Sequence, residues 1–264
     1  MNSDIRAIPD VSASAAPHVG RLEWKVATVV AVRDETPHAR TIVLDVPEWP
    51  GHLAGQHVDV RLVAEDGYEA QRSYSIASAP GGDHVELTVE RIENAEVSPY
   101  LCDVLQPGDG LEIRGPIGGY FVWRPRDAVP LLLIAGGSGV VPLMAMLRHH
   151  ASTATTRNTP DSVRMLYSAR TLDDVIYKKE LDAIASTDSA RVAIALTRAW
   201  PSDWRGFRRR IDRAMLEEIA WPAADGAHAY VCGPTPLVES VATLLVELGY
   251  DGARVLTERF GPTG

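Results

Sequence analysis

Between Leu22 and Phe121 apolar positions alternate with polar ones, as in Val58, Val60 and Leu62 or in Val85, Leu87 and Val89. A period of two marks half-buried antiparallel strands, and Gly, Pro and Asp punctuate the runs where turns belong. Short strands so spaced suit a small closed barrel, because closure removes the edges that an open sheet exposes. One helix is predicted within it, near Ser98 to Val104. After Arg124 the rhythm changes. A continuous apolar strand, Leu131 to Ala135, is followed by helix-length segments at Val140 to His150 and Leu237 to Leu248, with further strands predicted at Val163 to Tyr167, Arg191 to Leu196 and Ala227 to Cys232. That succession is a βαβ pattern: a parallel sheet covered by helices on both faces. The Pro-punctuated stretch at Arg124 to Val129 divides the two patterns. The predicted domains are therefore residues 21–125 and 129–264. Residues 1–20, rich in Ser, Ala and Pro and without periodicity, are predicted to be a flexible arm.

Composition narrows the function. The chain has 264 residues, enough for two cores, and 45% of them are hydrophobic against 23% charged, the balance of a water-soluble globular protein. No apolar run approaches the roughly 20 residues a membrane span requires, and the start lacks the charged and apolar regions of a secretory signal, so a cytoplasmic location is expected. A formal charge of −9 argues against broad nucleic-acid binding. Cys102 and Cys232 are the only cysteines, too few for a four-Cys iron–sulfur ligand set within this sequence.

Two segments carry candidate chemistry. Gly136-Gly137-Ser138-Gly139-Val140-Val141-Pro142 follows a buried strand and opens a helix, so its backbone N–H groups are free to approach a pyrophosphate. Pro142 stands where the usual dinucleotide fingerprint has a third glycine, and a ligand-free glycine turn is the plain alternative. Arg72-Ser73-Tyr74-Ser75 reads as a strand that puts Arg72, Tyr74 and Ile76 on one face and Ser73 and Ser75 on the other. A phosphate-binding Arg, a ring able to stack on a flat heterocycle and a hydroxyl make a flavin-binding set, and the same pattern serves an exposed strand equally well.

Taken in order, RSYS at Arg72 to Ser75, GPIGGYF at Gly115 to Phe121, GGSGVVP at Gly136 to Pro142 and CGPTP at Cys232 to Pro236 resemble the ferredoxin-NADP reductase family of flavoproteins. The resemblance runs from about Trp24 to the C-terminus. It implies a six-stranded antiparallel β-barrel that binds FAD, joined to an α/β domain that binds NAD(P)H. It also implies that Arg72 contacts the flavin-side phosphate, that Tyr74 lies against the isoalloxazine ring, and that Ser73 and Ser75 lie in the flavin site with Ser75 near its reactive edge. The stretch Val89-Glu90-Arg91, with Val97 and Ser98, resembles the second phosphate-binding element. The glycine that relatives often carry before that serine is replaced here by Glu96-Val97. Gly137, Gly139 and Pro142 resemble the pyridine-nucleotide loop, and Cys232, Gly233 and Pro234 the turn that guides nicotinamide toward the flavin. Phe260, in the TERFGPTG tail, resembles the aromatic residue that lies on the flavin in bacterial members; capping the core is its other reading. Glu258 either tunes the flavin site or is solvated.

A preference for NADPH over NADH requires a cationic cradle for the 2′-phosphate. The resemblance offers Ser168 with Arg170, Thr197 with Arg198, and Arg210 from the run Arg208 to Arg210, although this run also reads as a solvated loop or as a docking patch for an acidic partner. Arg209 replaces a common glycine there. The implied activity is transfer of electrons from NADPH, with NADH also possible, through FAD to a separate one-electron acceptor such as ferredoxin or flavodoxin. A free flavin or ferric reductase and a non-catalytic relay subunit are the alternatives. A flavin-free NAD-dependent dehydrogenase is disfavoured by the barrel and RSYS.

Overall fold

The computed structural model describes residues 22–125, 129–153, 162–186 and 190–261. The predicted arm and the last residues of the predicted tail lie outside these. Strands β1 (Trp24–Thr36), β2 (Ala39–Asp45), β3 (His57–Val63), β4 (Glu69–Ser75), β5 (Val85–Glu90) and β6 (Gly110–Ile117) form one antiparallel sheet in the order β4-β3-β6-β1-β2-β5. The two ends of that order meet: Ile76 bridges Leu87, and Ala77 N–H donates to Glu86 O at 2.7 Å. The sheet therefore closes as the alternating pattern predicts. Val58, Val60, Leu87 and Val89 point into its core and are fully buried. Each such side chain contributes roughly 1.5–3 kcal/mol through removal from water. The predicted helix is a single turn, α1 (Val97–Pro99), continuing into a π-helical turn at Tyr100–Val104; it brings Val97, Leu101 and Leu105 into the same core.

The second sheet is parallel and five-stranded: β7 (Leu131–Gly136), β8 (Val163–Ala169), β9 (Arg191–Leu196), β10 (His228–Pro234) and β11 (Val255–Phe260), in the order β11-β10-β7-β8-β9. Helices α2 (Val140–Ser152) and α3 (Lys178–Ser186) pack with Leu131, Leu133 and Ala135 on one face. Helices α4 (Arg213–Ile219) and α5 (Thr235–Glu247) pack with Leu132 and Ile134 on the other. Burial on both faces is why β7 reads as an unbroken apolar run instead of an alternation. The order reverses at β7, whose neighbours β8 and β10 lead in opposite directions. In open α/β sheets ligands bind at such a switch, beyond the carboxyl ends of the strands.

The two sheets are held together by buried polar contacts. Arg148 of α2 donates to Ala77 O (2.9 Å) and Glu86 (3.0 Å) of the barrel, and its remaining donors take Glu180 of α3 at 2.6 and 2.9 Å. Burial disfavours the charge on Arg148, yet Glu180 overcomes it and holds the guanidinium above its ordinary pKa. Tyr177 donates its hydroxyl to Thr88, Thr88 and Thr41 share a 2.7 Å bond, and Thr41 donates to Glu35 at 2.7 Å. This chain of hydroxyls runs from the α/β unit into the barrel. His149 and His150, at the end of α2, pack against Trp123, the first edge-on and the second tilted.

Candidate active site

At the carboxyl end of β7 the chain turns through a single 3-10 turn, Gly137–Gly139, directly into α2. Gly137 has φ +54°, a conformation that side chains rarely adopt. Gly139 packs on the end of β10 so closely that a Cβ would overlap the Cys232 carbonyl and lie 2.7 Å from Gly233 N. A Cβ on Gly136 would press the Leu237 side chain at 2.8 Å. The glycines thus bring two strand ends together at the switch point, and Gly136, Gly137 and Ser138 line a cleft just ahead of a 13-residue helix, where backbone N–H groups suit a pyrophosphate. Pro142 lies in the first turn of that helix and is buried.

In front of this turn lies a cleft of about 610 Å³. Of the residues singled out in the sequence it gathers Gly137, Ser168, Arg170, Thr197, Arg210, Pro234 and Phe260 along its wall. Arg170 and Arg210 are exposed, whereas Ser168 is buried and Thr197 donates its hydroxyl to Ala169 O at 3.1 Å. Arg209 is turned to Asp212 (2.5 Å), so the substitution of a common glycine there leaves Arg210 on the cleft wall. Arg198 is exposed but outside that wall. The barrel supplies the opposite side through Thr36, His38, Ala39 and Glu90.

Behind the wall the parallel register pairs Cys232 with Glu258 and Pro234 with Phe260. Cys232 is 2% exposed; burial first, then the charge of Glu258, pushes its thiol well above the ordinary range, so it stays protonated. Burial pushes Glu258 up to about 7, and its Oε2 is buried without a hydrogen-bond partner among the described residues. A carboxyl so placed titrates near neutral pH instead of in the ordinary carboxylate range. Phe260 packs on the edge of the core and also lines the cleft.

The remaining predicted residues lie on the barrel. Tyr74 packs against the barrel core, and burial, with a smaller contribution from Cys102, pushes its phenol up to about 12. Arg72 extends outward, donating to Gln71 O at 2.6 Å and lying 3.6 Å from Glu96. Ser73, on the opposite face as alternation requires, donates to Asp59 at 2.7 Å. Ser75 is half-buried at the end of β4. Val89 and Val97 are fully buried, so their side chains are not available to a ligand. Ser98 accepts from Ile92 N–H at 3.0 Å, and Arg91 pairs with Asp103 at 2.8 Å. Glu90, between Val89 and Arg91, reaches the cleft and makes the barrel surface continuous with it.

Sequence reasoning did not single out Thr36 or His38 as site residues, and it placed Glu90 only within the Val89-Glu90-Arg91 stretch on the barrel, not on this cleft. Thr36 and His38 come from a hairpin tip, and nothing in TPHA signals that it meets a glycine loop a hundred residues later. The donor set fits two ligands: a dinucleotide on the glycine turn with Arg170 and Arg210, and a phosphorylated flat heterocycle on Arg72 and Tyr74. No group of three or more metal-ligating side chains occurs among the described residues, and no described helix is long and apolar enough to cross a membrane.

Comparison with known proteins gives the same two ligands. An oxidoreductase FAD-binding domain matches residues 27–122, and an oxidoreductase NAD-binding domain matches residues 133–243. Ferredoxin–NADP reductase B of Sorangium cellulosum is 36% identical over 243 residues, covering 89% of this chain and 96% of that protein. The glycine betaine monooxygenase reductase subunit of Pseudomonas aeruginosa is 35% identical over 240 residues, covering 89% of this chain; the match spans 63% of that longer protein. The structure of an Amycolatopsis cytochrome P450 reductase superposes with a TM-score of 0.76 at 28% identity, over 92% of this chain and 71% of that one. The chain belongs to the ferredoxin–NADP reductase family and is an FAD- and NAD(P)-binding oxidoreductase.

Proposed function

We propose that the chain accepts reducing equivalents from NADPH in its cleft and delivers them one at a time, through FAD held on the barrel, to a separate acceptor protein such as a ferredoxin or flavodoxin in the cytoplasm. The observation that carries this reading is the single cleft in which the glycine turn, Arg170, Arg210 and Phe260 converge opposite the barrel. Bound FAD supplies the conversion between two-electron and one-electron transfer, chemistry that amino-acid side chains do not provide.

The residues do the positioning. Gly137 and Gly139 receive the nucleotide pyrophosphate on backbone N–H groups, while Arg170 and Arg210, with Ser168, Thr197 and Arg198 nearby, receive the 2′-phosphate. Pro234 and Gly233 turn the nicotinamide end toward the barrel. Cys232, a neutral buried thiol, fixes spacing and is not a nucleophile. On the barrel side Arg72 holds the flavin phosphate, Tyr74 supports the ring from the core side, and Phe260 excludes water from the other. Ser75 and Glu258 flank the reacting edge, with the Glu258 carboxyl, pushed up to about 7 by burial, titrating around neutral pH.

Replacement of Arg170 or Arg210 by Ala tests the cradle. Loss of a charge-assisted phosphate contact is expected to raise KM for NADPH roughly tenfold and to leave NADH unchanged; an equal effect on both nucleotides contradicts the assignment. The identity to a monooxygenase reductase subunit favours a second acceptor class, an oxygenase component. With two cysteines in this sequence, any iron–sulfur centre in either pathway lies outside these residues. Rapid NADPH-driven reduction of a soluble dye by the chain alone separates both from a passive relay subunit.

A further inference from the structure

Arg72 is the barrel cation assigned above to the flavin phosphate, yet it already has an anionic neighbour. Its Nη2 lies 3.6 Å from Glu96 Oε2, with the two side chains 56% and 49% exposed. Glu96 is held from its other side: Tyr68 donates its hydroxyl to Oε1 at 2.6 Å. Tyr68 is itself fixed, because its N–H donates to Asp66 (3.0 Å) and its carbonyl accepts from Ala64 N–H (2.9 Å) in the turn between β3 and β4. The carboxylate is thus engaged from the β3–β4 turn on one side and faces the guanidinium on the other, at the position immediately before α1.

We propose that Glu96 sets how tightly the barrel retains FAD, by competing with the flavin phosphate for Arg72. A phosphate approaching Arg72 either displaces the carboxylate or shares one cation with it, and two anions on one guanidinium repel each other. The Arg72–Glu96 pair is solvated on both sides, so it contributes little to folding, and its main consequence falls on ligand binding. Tyr68 strengthens the competition by opposing the rotation that would move Glu96 away. Glu96 is therefore a determinant of cofactor affinity that favours an exchangeable flavin over a permanently held one. This inference rests on the assignment of Arg72 to the flavin phosphate.

The test is equilibrium titration of the full chain, stripped of flavin, with FAD and with riboflavin, followed by flavin fluorescence. Glu96→Gln keeps an acceptor for Tyr68 and removes only the charge. At low ionic strength it is expected to lower the FAD dissociation constant about two- to fivefold, the range of an exposed charge pair. The gain is expected to vanish at about 1 M salt, where screening acts within ~3 Å, and to be absent for riboflavin, which has no phosphate. FAD affinity that is unchanged or weaker in Glu96→Gln overturns the proposal, as does an equal gain for riboflavin. Arg72→Ala separates the two levels of argument. If it weakens FAD binding while Glu96→Gln has no effect, only the competition is wrong; if it leaves FAD binding intact, the flavin assignment of Arg72 fails, and the competition with it.

Discussion

Glu258 offers a prediction whose sign and size both follow from its surroundings. It lies on β11, paired across the register with Cys232, and burial moves its carboxyl from an ordinary 4.5 to about 7. The folded chain therefore binds this proton more tightly than the unfolded chain does. Its contribution to stability is fully present below about 4.5 and is lost as pH rises through about 7, where the carboxyl ionises without a hydrogen bond at Oε2. A shift of that size corresponds to a penalty of up to about 3 kcal/mol once ionisation is complete. Glu258→Gln removes the titration. In urea unfolding of the flavin-free chain, the variant is expected to match the parent at about pH 4.5 and to exceed it by up to about 3 kcal/mol at about pH 9. A difference that does not change with pH, or one that is larger in acid, refutes the reasoning.

Three further outcomes follow from the packing. Arg148→Ala leaves Glu180 without its partner inside the contact between barrel and α/β unit, and is expected to cost roughly 2–4 kcal/mol in the same unfolding assay, less than a fully buried pair because Arg33 still holds Glu86. Tyr177→Phe removes the hydroxyl that reaches Thr88 and is expected to cost about 1–2 kcal/mol without altering flavin binding. Gly139→Ala drives a methyl group into the Cys232 carbonyl and forces the nucleotide turn open, so KM for NADPH is expected to rise and stability to fall by roughly 1–3 kcal/mol; a variant with unchanged KM shows that the turn does not meet the nucleotide.

Much of the fold is legible because burial dictates periodicity. The alternation of Val58 and Val60 survives as side chains fully inside the barrel, and the continuous run at Leu131 to Ala135 survives as a strand covered on both faces. Observed strand β9 has the bounds its apolar pattern gives, Arg191–Leu196. Helices α3 and α4 are not legible in the same way: Lys178–Ser186 and Arg213–Ile219 span only 9 and 7 residues, too few turns for their apolar positions to establish a period. The site is half legible. Glycines mark a turn by themselves, so Gly137 and Gly139 stand out, and strand ends mark Ser168, Arg170 and Thr197. The barrel wall of the cleft depends on which hairpin closes against that turn, a tertiary fact with no local signature at Thr36 or His38. The engagement of Arg72 by Glu96 is equally invisible, since it joins β4 to the start of α1 across 24 residues of sequence.

Anaerobic stopped-flow absorption of the protein as purified tests whether NADPH delivers its electrons to a flavin held by this chain. Mixing with NADPH is expected to bleach the flavin band rapidly, NADH to do so much more slowly, and the flavin released by denaturation to have the mass of FAD. Equal or reversed rates contradict the 2′-phosphate cradle at Arg170 and Arg210; a chain that binds no flavin, or a bound flavin that neither nucleotide reduces, contradicts the account itself.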